Sequence, residues 1–290
     1  MTRTAHCARR VVTLAVCLGV LLVGARAAAQ QRELRVCADP NNLPFSNDRF
    51  EGFENKVAQL VADDMHATVR YTWFPQRRGF IRETLKAGTC DLVVGVPTGY
   101  DLVLSTKPYY RSTFVFVSAT RRNLQLRSFD DPVLVGLQIG LEEIGSDGAN
   151  TPPAHALARR GLAGNIVGFK LWDVESVESP PGKIVDAVSS GAIDVAIIWG
   201  PFAGYFAKRH PAGSLQVVPV SAGAADPPTR PFAYDMSMGV RPGDTAFKTE
   251  LEGILDRRRR DIEKVLEEYG IPIVVAEPHT EKQLEEPSCG

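Results

Sequence analysis

The sequence predicts an α/β fold of two lobes, two parallel-type sheets joined by two crossover segments. Three observations carry that expectation. Strand-like and helix-like segments alternate in two successive runs. The phrase GTCDLVVGVPTGYD at 88–101 recurs as GAIDVAIIWGPFAGYF at 191–206. Each copy of the phrase is the last helix-to-strand step of its own run. Alternating β and α units build parallel sheets with helices on their faces.

In the first run, LRVCADP reads as a strand, and FENKVAQLVADDM places Val57, Leu60, Val61 and Met65 on one helical face. TVRYTWF is a second strand. RRGFIRETLKAG is a helix ending at Gly88, where glycine is favoured just past a helix end, and CDLVVGV closes the run. The aromatic and β-branched segment YYRSTFVFVSA then leaves the first unit as a strand. The second run reads LVGLQIGL (strand), NTPPAHALARRG (helix, capped by Asn150 or Thr151 with prolines in its first turn), NIVGFKLW (strand), PGKIVDAVSSG (helix) and IDVAIIW (strand). FAYDMSMGV is expected to return to the first unit. DTAFKTELEGILDRRRR and DIEKVLEEYG are one helix or a bent pair.

The amino terminus has the layout of a secretory signal: Arg3, Arg9 and Arg10, an apolar run from Val11 to Val23, then Ala27-x-Ala29 as a cleavage site. The run is shorter than the roughly 20 residues a spanning helix needs. Residues 1–29 are therefore expected to be removed, leaving an exported chain. Residues 30–113 with 240–285 form the first lobe, 114–239 the second, and 286–290 a tail. With 33 Lys and Arg against 34 Asp and Glu, the net charge of −1 offers no electrostatic footprint for nucleic acid.

Cys7 and Cys17 leave with the signal, so Cys37, Cys90 and Cys289 remain, and no zinc-like spacing exists among them. Cys37 ends one strand and Cys90 begins another. If the two strands are parallel neighbours, the thiols fall at opposite ends, which argues against a bridge between them. A bridge from Cys289 to either stays open.

In open α/β sheets ligands bind in the crevice outside the carboxyl ends of the strands. Two such sheets joined by crossovers would face those ends at each other across a cleft. CADPNNLPFSN, GFENKVAQLVADD, YTWFPQRRGF, CDLVVGVPTGYD, KPYYRSTFVFV, IDVAIIWGPFAGYF, YDMSMGVRPGD and RRRDIEKVLEEYGIP carry a resemblance over almost the whole exported chain. The chain resembles the periplasmic solute-binding proteins of family 3. Within them it resembles the homologues associated with quinoprotein methanol dehydrogenases. The resemblance implies the type II periplasmic binding protein fold and a location in the periplasm. It also implies a role beside a pyrroloquinoline-quinone-dependent, calcium- or lanthanide-dependent methanol dehydrogenase as partner, in its assembly or activation, with an apo or cofactor-free form of that enzyme as one possible target. The chain itself is expected to hold no cofactor and no metal.

The departures from amino-acid receptors are informative. Those receptors follow the third strand with Thr-x-x-Glu-Arg, whose guanidinium pairs with the ligand carboxylate; here the stretch is PTGYD, and Tyr100 and Asp101 cannot replace it. In the second lobe an Asp usually holds the ligand ammonium; here Trp199, Gly200 and Pro201 occupy the turn. Both anchors of a zwitterion are missing, and losing one partner of such a pair costs several kcal/mol, roughly 2–5. Free amino acids are therefore poor candidate ligands.

The residues expected to line the cleft are Asp39, Asn41, Asn42 and Phe45 after the first strand, then Gln76, Arg77 and Arg78 after the second. Thr98, Tyr100 and Asp101 follow the third. The second lobe supplies Asp147, Asn150 and Thr151 at a helix start and Trp199, Pro201, Phe202 and Tyr205 after the last strand. Arg77 and Arg78 beside helix N–H groups could hold an anion, or could simply be solvated loop charges.

Other chemistries fail on spacing. A calcium loop starting at Asp39 would need Gly and Glu where Pro44 and Phe50 stand. The histidines lack a second ligand at helical spacing. The run 257–260, RRRR, is followed by Glu263, Glu267 and Glu268 and reads as a solvated helix face. This fold also hosts enzymes that use a cleft carboxylate, and Glu142 and Glu143 lie near the lobe edge, but no nucleophile, base and orienting group can be assembled. The expectation is a non-catalytic binding or accessory protein, the alternative being the substrate-binding component of an ABC transporter for a small non-amino-acid solute.

Overall fold

A computed structural model of the chain describes residues 32–142, 151–170, 180–223, 225–228 and 231–275. The expected signal segment, Asp147, Asn150, Glu143, Cys289 and the tail lie outside the described residues.

In the first half, strand β1 (Arg32–Ala38) pairs in parallel with β4 (Ala67–Trp73) on one side and β5 (Leu92–Pro97) on the other. Two short strands, β2 (Asn41–Asn42) and β3 (Ser46–Asn47), form a small hairpin just after β1. Helix α1 (Phe53–Asp64) follows it and buries Phe53, Val57, Ala58 and Val61 against the sheet. Each fully buried Phe or Val side chain contributes about 1.5–3 kcal/mol. The expected helix before β5 is much shorter than its pattern suggests: α2 covers only Phe80–Glu83, and turns carry the chain on to Gly88, which takes φ +75°. Thr84 bonds back to the Phe80 carbonyl through its hydroxyl at 2.6 Å, a local competitor for regular helix.

The second half repeats the plan. Strand β8 (Ile139–Glu142) lies parallel between β9 (Ile166–Phe169) and β10 (Val195–Trp199), with helices α3 (Pro152–Arg159) and α4 (Pro180–Ser190) connecting them. The expected strand from Leu134 begins late, because residues Pro132–Gly136 form a 3₁₀ turn capped by Asp131. Gly200 and Pro201 are no simple turn: they open helix α5 (Gly200–Ala207), with proline in the first turn where its missing N–H costs nothing. The copy at Pro97 does turn, leading to β6 (Leu104–Ser105).

The recurring Gly-x-x-Asp now has a physical account. Gly88 and Gly191 both take positive φ, +75° and +86°, ending the preceding element. Asp91 and Asp194 then tie the start of the new strand to its parallel neighbour. Asp91 accepts a paired donation from Arg35 of β1 at 2.7 and 2.6 Å, and Asp194 accepts from the Gln138 N–H just before β8 at 2.7 Å.

The crossover segments are paired strands. In β7 (Tyr110–Ala119), residues 110–113 lie antiparallel to β12 (Ala233–Val240), whereas the rest lies between β10 and β11 (Leu215–Pro219). Strand β12 also runs antiparallel to β5. The two parallel-type sheets are thus mixed sheets and share one hydrogen-bonded path, β4-β1-β5-β12-β7-β10-β8-β9. This is the two-lobed α/β architecture, with the crossovers built into it. The final helix α6 (Thr245–Glu268) is single and continuous, capped by Asp244. From the RRRR run, Arg257 and Arg258 reach Asp64 of α1 at 2.5 and 3.2 Å.

One expectation is overturned. Cys37 and Cys90 form a disulfide, with Cα atoms 5.5 Å apart. Cys90 does not begin the strand; β5 starts at Leu92, and Cys90 belongs to the connection leading into it. That connection brings it beside Cys37 in a buried cluster with Phe80, Ile81, Leu85 and Val93. The argument from opposite strand ends fails because it applies only to residues in line with the ladder.

Candidate functional site

The loops after β1 and β4 are tied to each other. The carboxylate of Asp39, buried to 7% exposure, accepts from the Asn41 N–H at 2.8 Å with one oxygen and from the Gln76 N–H at 2.5 Å with the other. Asn42 donates its amide to the Gln76 side chain at 2.9 Å. Asp39, Asn41, Asn42 and Gln76 therefore form one knot. Arg77 and Arg78 are exposed, and the Arg77 guanidinium lies 5.9 Å from the Phe74 ring. The N–H of Phe80 at the start of α2 is already taken by the Arg77 carbonyl, and that helix is only four residues long.

Phe45 and Phe202, expected on facing lobes, are in contact with ring centroids 5.1 Å apart. Pro201 is buried, and Tyr205 stacks on Tyr269 at 5.7 Å while carrying the Arg209 guanidinium at 4.6 Å on its ring. Helix α5 seats this closely because of two glycines. A side chain at Gly204 would fall on the Gly270 carbonyl, and one at Gly200 would meet the Thr113 carbonyl.

The ends of β5 and β10 converge on β12. The Thr98 N–H donates to the Asp235 carbonyl at 2.8 Å, and the Thr98 hydroxyl lies 2.7 Å from that of Ser237. Trp199 packs against Phe114 at 5.4 Å and Tyr234 at 5.9 Å. Tyr100 and Asp101 face solvent. Thr151 stands at the N-cap of α3.

Beside α5, a groove of about 650 Å³ runs between the two halves. Asn41, Arg49 and Glu51 line it from the first half, and Lys183, Tyr205 and Arg209 from the second. Its cations and carboxylates are mixed, and Arg49 already pairs with Glu51 at 3.0 Å.

The sequence reading missed Glu54, Tyr109 and Tyr110. Glu54 lies deep in the protein, still partly touched by solvent, and desolvation lifts its carboxyl from the ordinary range to about 8. A signal was present: Glu54 stands three residues before Val57 and four before Ala58, on the buried stripe of α1. Burial also pushes the Tyr109 and Tyr110 phenols up, so both remain neutral. Among the described residues no group of three or more His, Cys, Asp or Glu could hold a metal ion, and no helix is long and apolar enough to cross a membrane.

Comparison with known proteins agrees with this fold. Residues 34–271 match the family model of bacterial extracellular solute-binding proteins, family 3. The protein MoxJ of Methylorubrum extorquens is 30% identical over 246 residues, covering 83% of this chain and 81% of that protein. The periplasmic binding protein XoxJ from Methylobacterium extorquens AM1 is 36% identical, covering 84% of this chain and all of that one, with a TM-score of 0.68. MxaJ from Methlophaga aminisulfidivorans MPT is 27% identical, covering 83% of this chain and all of that one, with a TM-score of 0.73. Two mixed sheets sharing their crossover strands, and a family match over nearly all the described residues, place this chain in the bacterial extracellular solute-binding proteins, family 3.

Proposed function

We propose that the chain is an exported, non-catalytic accessory protein of methanol oxidation that works in the periplasm. It engages a pyrroloquinoline-quinone-dependent methanol dehydrogenase and assists its assembly or activation. The observation that carries this reading is the loss of both amino-acid anchors. Where a receptor's arginine is expected, Tyr100 and Asp101 stand exposed, and where its acid is expected, Trp199 packs on Phe114 and Tyr234. The likeness to MoxJ, XoxJ and MxaJ supports the setting. The mixed-charge groove beside α5 favours, as a second reading, a small non-amino-acid solute delivered to a transporter.

The test is co-purification from periplasm. The wild-type protein is expected to bring down the dehydrogenase or its apo form. Tyr100→Ala, which removes an exposed ring without touching the core, is expected to weaken capture more than it lowers thermal stability. Amino acids are expected to give no thermal shift. A millimolar or tighter amino-acid ligand without dehydrogenase capture overturns the proposal.

A further inference from the structure

Glu54 occupies the first turn of α1, and its N–H donates to the Phe45 carbonyl at 2.9 Å. Its carboxyl lies against Gly95 of β5, two residues from the strand's carboxyl end; a Cβ at Gly95 would fall on the Oε1 oxygen. The absent side chain makes the room that the carboxyl uses. Among the described residues, no hydrogen-bond donor or cation is paired with this carboxyl. The neighbouring lysine, Lys56, is committed to Glu268 at 2.6 Å.

Two more polar groups nearby lack partners. The hydroxyls of Tyr109 and Tyr110 are buried and make no hydrogen bond. Both feel the charge of Glu54, as does Tyr71 of β4. The surroundings are aromatic: Phe53 stands 6.0 Å from Tyr110 and 5.3 Å from Phe45, and Tyr109 lies 4.9 Å from Tyr110. A buried polar group without a partner typically costs about 1–3 kcal/mol, and here two such hydroxyls lie within electrostatic reach of an unpaired carboxyl.

We propose that Glu54, Tyr109 and Tyr110 form a binding subsite for a small organic ammonium ion. The ammonium donates to the carboxylate and phenol oxygens, and the surrounding rings accept its alkyl part and its charge. One carboxylate and two phenols are too few for calcium, which takes about six to eight oxygens. A neutral ligand would leave the carboxyl protonated and release no proton on binding, which separates it from an ammonium ion in a titration. Because the free carboxyl is largely protonated at neutral pH, binding shifts its proton to the buffer: the protonated carboxyl and the ammonium become a carboxylate–ammonium pair plus one released proton. An amino acid would also bring a carboxylate, for which the subsite holds no cation.

The experiment is isothermal titration of the purified protein with n-propylammonium chloride, in two buffers of different ionisation enthalpy, with n-butanol as the neutral control. No dehydrogenase is involved, so this proposal and the accessory role fail separately. With a carboxyl titrating at about 8, affinity is expected to rise about tenfold from pH 7 to pH 9, with close to one proton released per ion at pH 7. Glu54→Gln is expected to abolish the pH dependence and weaken binding at least about tenfold at pH 9, and Tyr110→Phe to weaken it several-fold while leaving the pH dependence. Should Glu54→Gln not fold, the wild-type proton count decides alone. No binding at tens of millimolar, equal binding of n-butanol, no proton release at pH 7, or undiminished binding by a folded Glu54→Gln each overturns the proposal.

Discussion

The ring of Phe45, in the loop after β1, meets the ring of Phe202, in the first turn of α5, nearly edge-on at 79° with centroids 5.1 Å apart. One aromatic from each half therefore closes the space between them. Phe202 is 4% exposed, so Phe202→Ala leaves a cavity at the joint. A loss of about 3–5 kcal/mol in stability is expected, read by denaturant unfolding. An unchanged midpoint would mean that the halves do not depend on this contact.

The Cys37–Cys90 bridge joins residues separated by 53 positions and closes a loop that contains α1 and β4. Loop-closure entropy gives about 4 kcal/mol for a loop of this length. The Cys37→Ala, Cys90→Ala double variant is expected to lose about that much, and a mild reductant is expected to lower the wild-type melting temperature but not that of the variant.

Asp226, between β11 and β12, has a side chain only 1% exposed and clamps α3 through Arg159 and Arg160 at 2.9 and 2.8 Å. Burial alone would raise its pKa. The hydrogen bonds from Arg160, the Gly223 N–H and Arg159 outweigh that and hold it below the usual carboxylate range. Its contribution is therefore present above the unfolded value of about 4 and is lost as pH falls through the lower folded value. Asp226→Asn is expected to cost about 3 kcal/mol at pH 7, with the gap to wild type narrowing in acid.

Glu54 works in the opposite sense. Its folded carboxyl, raised to about 8, keeps its proton where the unfolded one, at 4.5, has lost it. Stability is full below the unfolded value and declines as pH rises between the two values, with a slope of at most about 1.4 kcal/mol per pH unit. Glu54→Gln is expected to flatten this window in a series of melts from pH 4 to pH 9. An identical slope in both proteins would place the titration elsewhere.

The alternation of elements and the crossover strands were legible because each rests on periodicity and turn chemistry; the helical pattern of α6 was legible too, but not whether it runs as one helix or a bent pair. The disulfide was not: strand pattern says where a residue stands along the chain, and Cys90 reaches Cys37 through a connection outside the ladder. Helix α2 was overestimated because its apolar spacing matched a helix that Thr84 cuts short. Positions at strand ends marked the loops holding Asp39, Gln76, Phe45 and Phe202, but their hydrogen-bond partners come from distant segments. Glu54 could have been found, since an acid on an apolar helical stripe has to be satisfied by something.

Strand β7 belongs to both halves at once, its first residues bonded to β12 and its last to β10 and β11. A pair of slack linkers would let two bodies swing freely. Here any opening must twist one continuous ribbon of hydrogen bonds, so the joint behaves as a torsion spring with a preferred angle, and whatever enters between the halves must work against that restoring force.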